Sequence, residues 1–243
     1  MIFDMNSPSF GTESPDGYLL HGRPLAGMAG NIPFPAAAFF AWFGRDPSSA
    51  EAVLFDACLV ASLDHGPNPP SAQAACLVAA AGKPLADAVA AGILAFGPKH
   101  GHAGSAAGTW LVAHREAGAA AAVRAALETG SRIPGFGHPV YARDPRAAAL
   151  FGVLRAQGSS ARHADFADAV ARELSRVKGR EMPVNVDGAL GAVCADMAWP
   201  AETADMVFLL GRVAGLVAHA REAAAQAGGG YLRGADASAG PRV

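Results

Sequence analysis

Alanine carries much of the apolar content of this chain, and where apolar residues are periodic they recur every three or four positions. Met206, Leu210, Val213, Val217 and Ala220 advance in steps of 4, 3, 4 and 3, the spacing of one helical face. Val53, Ala57 and Val60 repeat the pattern. No stretch alternates with period two over more than a few residues. Alanine is the strongest helix former, and aromatic residues make up only 7% of the 243 positions. An all-α fold of closely packed helices is therefore expected. An apolar fraction of 51% and a charged fraction of 16% exclude intrinsic disorder.

Glycine and proline divide the chain. Residues 1–23 are rich in Ser, Pro, Gly and Asp and read as an irregular arm. Asp46-Pro47 offers a cap followed by proline at the first helical position. Helices are then expected from about 71 to 81, 84 to 96, 103 to 118 and 119 to 128. Asp144-Pro145 repeats the cap-then-proline start for a helix to about 157. Another is expected over 163–178, one from Asn185, and a last one from Pro200. The segment beyond Gly228 is expected to be partly ordered.

Charge and cysteine usage remove several function classes. A formal net charge of −2 gives no electrostatic case for nucleic acid or an anionic membrane surface. No apolar run approaches the ~18 residues of a membrane span, and Met1–Asn6 lacks the features of a signal peptide, so a cytoplasmic location is expected. Cys58, Cys76 and Cys194 are odd in number and form no CxxC pair, which suggests neither a disulfide framework nor a thiolate zinc site.

Chemistry-bearing residues concentrate in the loops, where sites usually lie. His65 in Asp64-His65-Gly66-Pro67 reads either as a helix C-terminal histidine or as a donor to an anionic substrate. In Gly97-Pro98-Lys99-His100-Gly101-His102, a histidine before a helix can stay neutral and donate to a carbonyl; the competing reading is metal ligation by the two histidines. In Ile133-Pro134-Gly135-Phe136-Gly137-His138, the two glycines allow a tight backbone with exposed N–H groups. With Asp144 as cap, Arg146 falls in the first helical turn, where an anion would meet a guanidinium and free N–H groups. Arg143 is near enough to share that work. Asp187 in Asn185-Val186-Asp187-Gly188 reads as a cap or first-turn acid, or as a general base flanked by small residues. Arg212, Gly215 and His219 share a face of the last helix. Arg212 needs either an internal acid or a substrate carboxylate as partner.

The order of these segments resembles the citrate synthase superfamily, over roughly residues 50–225. Asp64-His65-Gly66-Pro67 and Asn185-Val186-Asp187-Gly188 are similar to the citryl-CoA lyase branch, including the lyase module of ATP-citrate lyase. The resemblance implies an all-helical homodimer with a large domain (1–103 and 199–243) and a small one (104–198). It implies cleavage of citryl-CoA to acetyl-CoA and oxaloacetate, with a CoA thioester and a small di- or tricarboxylic acid as partners. No separate cofactor or metal is implied. By the same resemblance, His100 holds the thioester oxygen, Asp187 moves the methyl proton, and His138 serves the carbonyl or hydroxyl. His65, Arg146, Arg212 and Arg233 would bind carboxylates, with Arg242 the other basic residue of the tail. Ile133, Pro134, Gly135, Phe136 and Gly137 would hold the CoA adenine, and Arg143 and Lys178 its phosphates. The sequence departs from the family pattern in its short N-terminal part, in His102 where a glycine is usual, in one residue fewer between His138 and Asp144, and in its tail. Alternatives are a citrate synthase or related condensing enzyme, or a non-catalytic CoA-binding protein on the same fold.

Overall fold

A computed structural model describes residues 10–15, 17–97, 100–138 and 141–227. Strands β1 (Gly11–Ser14), β2 (Gly17–Leu20) and β3 (Arg23–Pro24) form an antiparallel meander in the order β1-β2-β3. Eleven α-helices follow among the described residues: α1 (Leu25–Met28), α2 (Phe34–Phe43), α3 (Ser49–Ser62), α4 (Pro70–Ala80), α5 (Leu85–Leu94), α6 (Gly104–His114), α7 (Ala119–Glu128), α8 (Pro145–Ala156), α9 (Arg162–Lys178), α10 (Val186–Asp196) and α11 (Thr203–Ala227). A 3-10 turn, Arg115–Ala117, joins α6 to α7. The helical class expected from the sequence is what the chain adopts.

Local chemistry explains the departures. Residues 10–24 are not an irregular arm: Gly11 pairs with Leu20 and Ser14 with Gly17, and Leu19 pairs with Pro24. Strands this short carry too few residues for alternation to show. Asp46 does not cap a helix. Its carboxylate takes both guanidinium nitrogens of Arg23, at 2.7 and 2.8 Å. Ser48 caps α3 instead, because Glu51 completes a capping box: Glu51 N–H donates to Ser48 Oγ, and Ser48 N–H to Glu51 Oε2 at 2.8 Å. The last helix starts at Thr203 rather than Pro200. Asp144 and Asn185 cap α8 and α10, and Asp196 accepts the N–H groups of His163 and Ala164 at the start of α9.

The few aromatics are gathered where they count. Phe39 packs on Phe43, Phe55 and Trp199. Beside them Glu51 is buried, forked by Arg45 and bonded by Trp199 Nε1 at 3.1 Å. Hydrogen bonding from Arg45 holds the Glu51 carboxyl down at about 2, so this buried acid stays ionised and paired. One apolar core joins α2 and α3 to α6–α10 and the start of α11. A second, built on Ala72, Ala75, Ala79, Ala88, Leu216 and Ala220, joins α4 and α5 to α11. By length and composition α11 is the one helix among the described residues that could cross a membrane. Here Val207, Phe208, Gly211, Arg212, Leu216 and Ala220 are buried along it, and it serves as the helix both cores share.

Gly135 and Gly188 set how closely the 133–138 loop approaches α10. Gly135 has a φ of +85°, and a Cβ there would lie 2.6 Å from Gly188 Cα. A Cβ on Gly188 would strike the Gly135 carbonyl. Gly152, in contrast, faces open space on α8 with ordinary helical geometry. Gly188→Ala is expected to cost about 1–3 kcal/mol by overpacking, a fall of roughly 2–12 °C in Tm. Gly152→Ala is expected to gain about 0.5–1 kcal/mol. Thermal melts of the two variants check the contrast; equal shifts would remove the close approach from the account.

Candidate functional site

Four segments converge. The first leaves the C-terminus of α3. His65 Nδ1 meets Arg212 Nη1, and the His65 ring stacks on His100 with centroids 5.6 Å apart. The second is the turn before α6. His100 pairs across it with Gly97, and its Nε2 lies 2.9 Å from Ser71 Oγ in the first turn of α4. Gly101 makes this possible: its φ is +86°, and a Cβ there would sit 2.7 Å from the Phe96 ring.

The third segment is the 133–138 loop, stitched to the start of α10. Gly137 N–H donates to Pro183 O at 2.7 Å, and Asn185 N–H to Gly135 O at 3.1 Å. Asn185 Nδ2 donates to Gly137 O at 3.0 Å. His138 stands at the end of this loop and accepts Tyr141 N–H on Nδ1 at 3.0 Å. Since Asn185 caps α10, accepting Gly188 N–H on its side chain, Asp187 is not consumed as a cap. The fourth segment is α11. It carries Arg212, 1% exposed, with Nε donating to Ser62 O at 2.9 Å and its guanidinium over the Phe208 ring. No carboxylate among the described residues forms an ion pair with Arg212.

Burial governs the electrostatics. It raises the Asp187 carboxyl to about 6, with Asp205 adding to the rise while Arg146 and Arg212 pull the other way. It lowers Arg212 to about 10. Burial, with Arg212, His100 and Arg146, pushes His65 down to about 3. His100 is lowered by burial and by Arg212, and His138 chiefly by burial. All three imidazoles are thus held in the neutral form, which both donates and accepts. Asp187 Oδ1 and Arg212 Nη2 are the two buried side-chain polar atoms with no hydrogen-bond partner among the described residues.

Arg146 differs from the expectation. Asp144 caps α8 with its own carboxylate and grips Arg146, taking Nε at 3.0 Å and Nη2 at 2.8 Å. The helix N-terminus offered to an anion is therefore already occupied, and Arg146 keeps only Nη1, 3.4 Å from Asp64 O. Ile133, Phe136, Gly137, His138 and Lys178 line one cleft of about 650 Å³, together with Arg132 and Arg180. Pro134 and Gly135 shape the loop from behind. Arg143 lies elsewhere, on a second cleft between α8 and α9 with Arg155 and Arg172. Arg233 and Arg242 lie outside the described residues, as do Pro98 and Lys99. His102 is exposed beside Phe96, and no group of three or more candidate metal ligands occurs among the described residues.

Four contributors escaped the sequence reading. Ser71 orients His100, Asp205 caps α6 through Ser105 and raises Asp187, and Arg132 and Arg180 make the cleft basic. A serine in a Pro-Pro-Ser helix start and two exposed arginines beside glycine loops carry no distinguishing pattern. Only the basic cluster Lys178-Gly179-Arg180 offered a local signal.

The family model described as citrate synthase, C-terminal domain, matches residues 22–233. The structure of citryl-CoA lyase from Hydrogenobacter thermophilus is similar with a TM-score of 0.81 and 36% identity, covering 89% of this chain and 86% of that one. ATP citrate lyase of Methanosaeta concilii, solved with (3S)-citryl-CoA, is similar with a TM-score of 0.80 and 25% identity, over 88% of this chain and 38% of that one. Putative citrate synthase 2 of Mycobacterium tuberculosis is 34% identical over 188 residues, 74% of this chain and 50% of that protein. ATP-citrate synthase beta chain protein 2 of Arabidopsis thaliana is 28% identical over 161 residues, 64% of this chain and 26% of its own length. The chain thus spans between a quarter and a half of these curated relatives.

Asp187 makes stability depend on pH. The folded chain holds the Asp187 proton from the ordinary 3.8 up to about 6. In that window the folded state binds more protons than the unfolded one, so stability falls as pH rises. Below the unfolded value the penalty is absent. Above about 6 it is complete, at about 3 kcal/mol from ~1.4 kcal/mol per unit. Asp187→Asn removes this titration. Relative to wild type, the variant is expected to gain up to about 3 kcal/mol between pH 4 and pH 7.5. Urea unfolding at both pH values checks this; a constant difference would reject the buried-carboxyl account.

Proposed function

Because the chain belongs to the citrate synthase family, its model matching residues 22–233, we propose that it is a carbon–carbon lyase that cleaves citryl-CoA to acetyl-CoA and oxaloacetate. One observation carries this reading: the two unpartnered buried atoms, Asp187 Oδ1 and Arg212 Nη2, belong to an acid–base group and a carboxylate-binding group. The similarity to the Hydrogenobacter citryl-CoA lyase over 86% of its length supports the direction.

In the proposed cleavage, the citryl hydroxyl gives its proton to water, and His138, whose Nδ1 accepts Tyr141 N–H so that the ring proton sits on Nε2, donates to the oxygen as it becomes a carbonyl. The carbon–carbon bond breaks, its electron pair passes into the thioester, and negative charge gathers on the thioester oxygen. A neutral His100 donates to that oxygen. With Ser71 Oγ–H donating to His100 Nε2, the ring proton sits on Nδ1, the form that can do so. Asp187, as the acid, gives its proton to the enolate carbon and acetyl-CoA results. A carboxyl near 6 suits proton transfer in either direction near neutral pH. Arg212 and His65 hold carboxylates, with Arg146 Nη1 beside them. The cleft with Arg132, Lys178 and Arg180 takes the phosphates of CoA, its adenine resting on the 133–137 backbone. The second reading, a condensing enzyme, is favoured by the 34% identity to putative citrate synthase 2. The reading extends to a homodimer, in which α4 and α5 cover their exposed Leu77, Leu85 and Leu94.

Incubation with citryl-CoA is expected to release acetyl-CoA. Free CoA from acetyl-CoA and oxaloacetate would favour the second reading, and silence in both assays would overturn both. Asp187→Asn is expected to lower turnover by roughly 10²–10⁴-fold. Arg212→Lys loses the planar fork and is expected to weaken oxaloacetate binding by about 1.5 kcal/mol or more, tenfold or greater. Calorimetric titration should find CoA affinity unchanged. Light scattering should give twice the chain mass, and a monomer would remove the dimer from the proposal.

A further inference from the structure

His219 stands outside the reacting groups, yet two turns before it the same helix presents Arg212. Both side chains reach the segment that leaves α3. Arg212 takes Ser62 O and His65, while His219 Nε2 lies 2.9 Å from Asp64 Oδ1. An ionised carboxylate only accepts, so Nε2 is the donor. The backbone N–H groups of His65 and Gly66 also donate to the Asp64 carboxylate, and the Asp64 carbonyl accepts Arg146 Nη1. Between Arg212 and His219, Gly215 lets α11 press against the Leu63 carbonyl, where any Cβ would collide. Three donors therefore organise one carboxylate at the turn carrying His65, and His219 alone comes from outside that turn.

We propose that His219 is a positioning residue: acting through Asp64, it fixes the turn that carries His65 and the carbonyl that Arg146 meets, and so sets the carboxylate-binding end of the site. The Asp64 side chain is 48% exposed. A hydrogen bond to so open a carboxylate adds little to global stability, so its purpose lies in geometry rather than in holding the fold. The kinetic form of this inference rests on the proposed lyase or condensing activity.

The test compares His219→Ala with His219→Gln, whose amide Nε2 can still donate to Asp64. In steady-state cleavage or condensation, His219→Ala is expected to raise KM for citryl-CoA or oxaloacetate about tenfold with kcat little changed, and to leave CoA affinity and Tm near wild type. His219→Gln is expected to restore most of the loss. A wild-type KM in the alanine variant, or equal impairment of both variants with a lowered Tm, overturns the inference. If the wild type is silent in both reactions, the functional reading fails by itself. The inference is then decided by the ¹³Cε1 resonance of His65, assigned with a His65→Asn variant. A resonance displaced in His219→Ala and restored in His219→Gln upholds it, and one unmoved by either overturns it.

Discussion

Backbone meeting backbone at glycine is the constraint on which this site depends. A Cβ on Gly191 would lie 2.5 Å from both Gly104 O and Gly108 N, one on Gly135 2.6 Å from Gly188 Cα, and one on Gly211 2.5 Å from Leu59 O. These contacts press α10 onto α6, the 133–138 loop onto α10, and α11 onto α3. Each of the four site segments is attached to one of those crossings or stands beside it. Larger residues would move the elements apart by about the ångström that costs a reacting geometry dearly. The abundance of small residues is thus more than helix propensity, since it lets polar groups from distant parts of the chain share one small volume.

Crowding these groups out of water fixes their charge states. Burial is the leading cause of the shifts at Asp187, His65, His100, His138 and Arg212. At His65 and His100 the Arg212 cation is the next cause and disfavours charge further, while at Asp187 it pulls against burial. A guanidinium without an acid beside it is unfavourable to bury. Contrast Glu51, also buried but forked by Arg45 and ionised down to about 2. The chain can pair a buried charge where only stability is at stake, and leaves two polar atoms unpaired at the candidate site, a pattern common at functional sites.

Much of this was legible in the residues, and the failures have physical causes. Asp144-Pro145 and Asp46-Pro47 carry the same signal, yet only Asp144 is a cap. At Asp46 the Ser48–Glu51 box lies two residues on and wins because it satisfies two backbone donors reciprocally. His65, His100 and His138 were legible because polar residues in glycine loops between apolar helices need a reason, and Asp187 and Arg212 because a charge among the small and apolar residues of α10 and α11 needs one too. Ser71, Asp205 and the Asp64–His219 contact were not, because their partners lie 29, 100 and 155 positions away and no local period encodes such a meeting. Arg143 and Lys178 line different clefts for a related reason: sequence distance does not say which face of the fold each one reaches.

Asp144 shows how the two sides of the candidate site are built. Its carboxylate accepts Arg146 N–H, Nε and Nη2 and also Val186 N–H at 3.1 Å, so a single buried acid joins the N-termini of α8 and α10. Negative charge is favoured at both termini, which explains why an acid rather than a neutral cap stands there. Arg146 and Asp187, one on each helix, are thereby held as one unit. His65 and Arg212 form the other, fixed by Ser62 and by the glycines of α11. The contact recorded between Arg146 and the segment after α3 is the long one, Nη1 to Asp64 O at 3.4 Å. In the proposed reaction the acid–base group belongs to the first unit and the main carboxylate binders to the second. A substrate spanning both would therefore be gripped at one end and protonated from the other, and both units rest on the one apolar core that joins α3, α8, α10 and the start of α11.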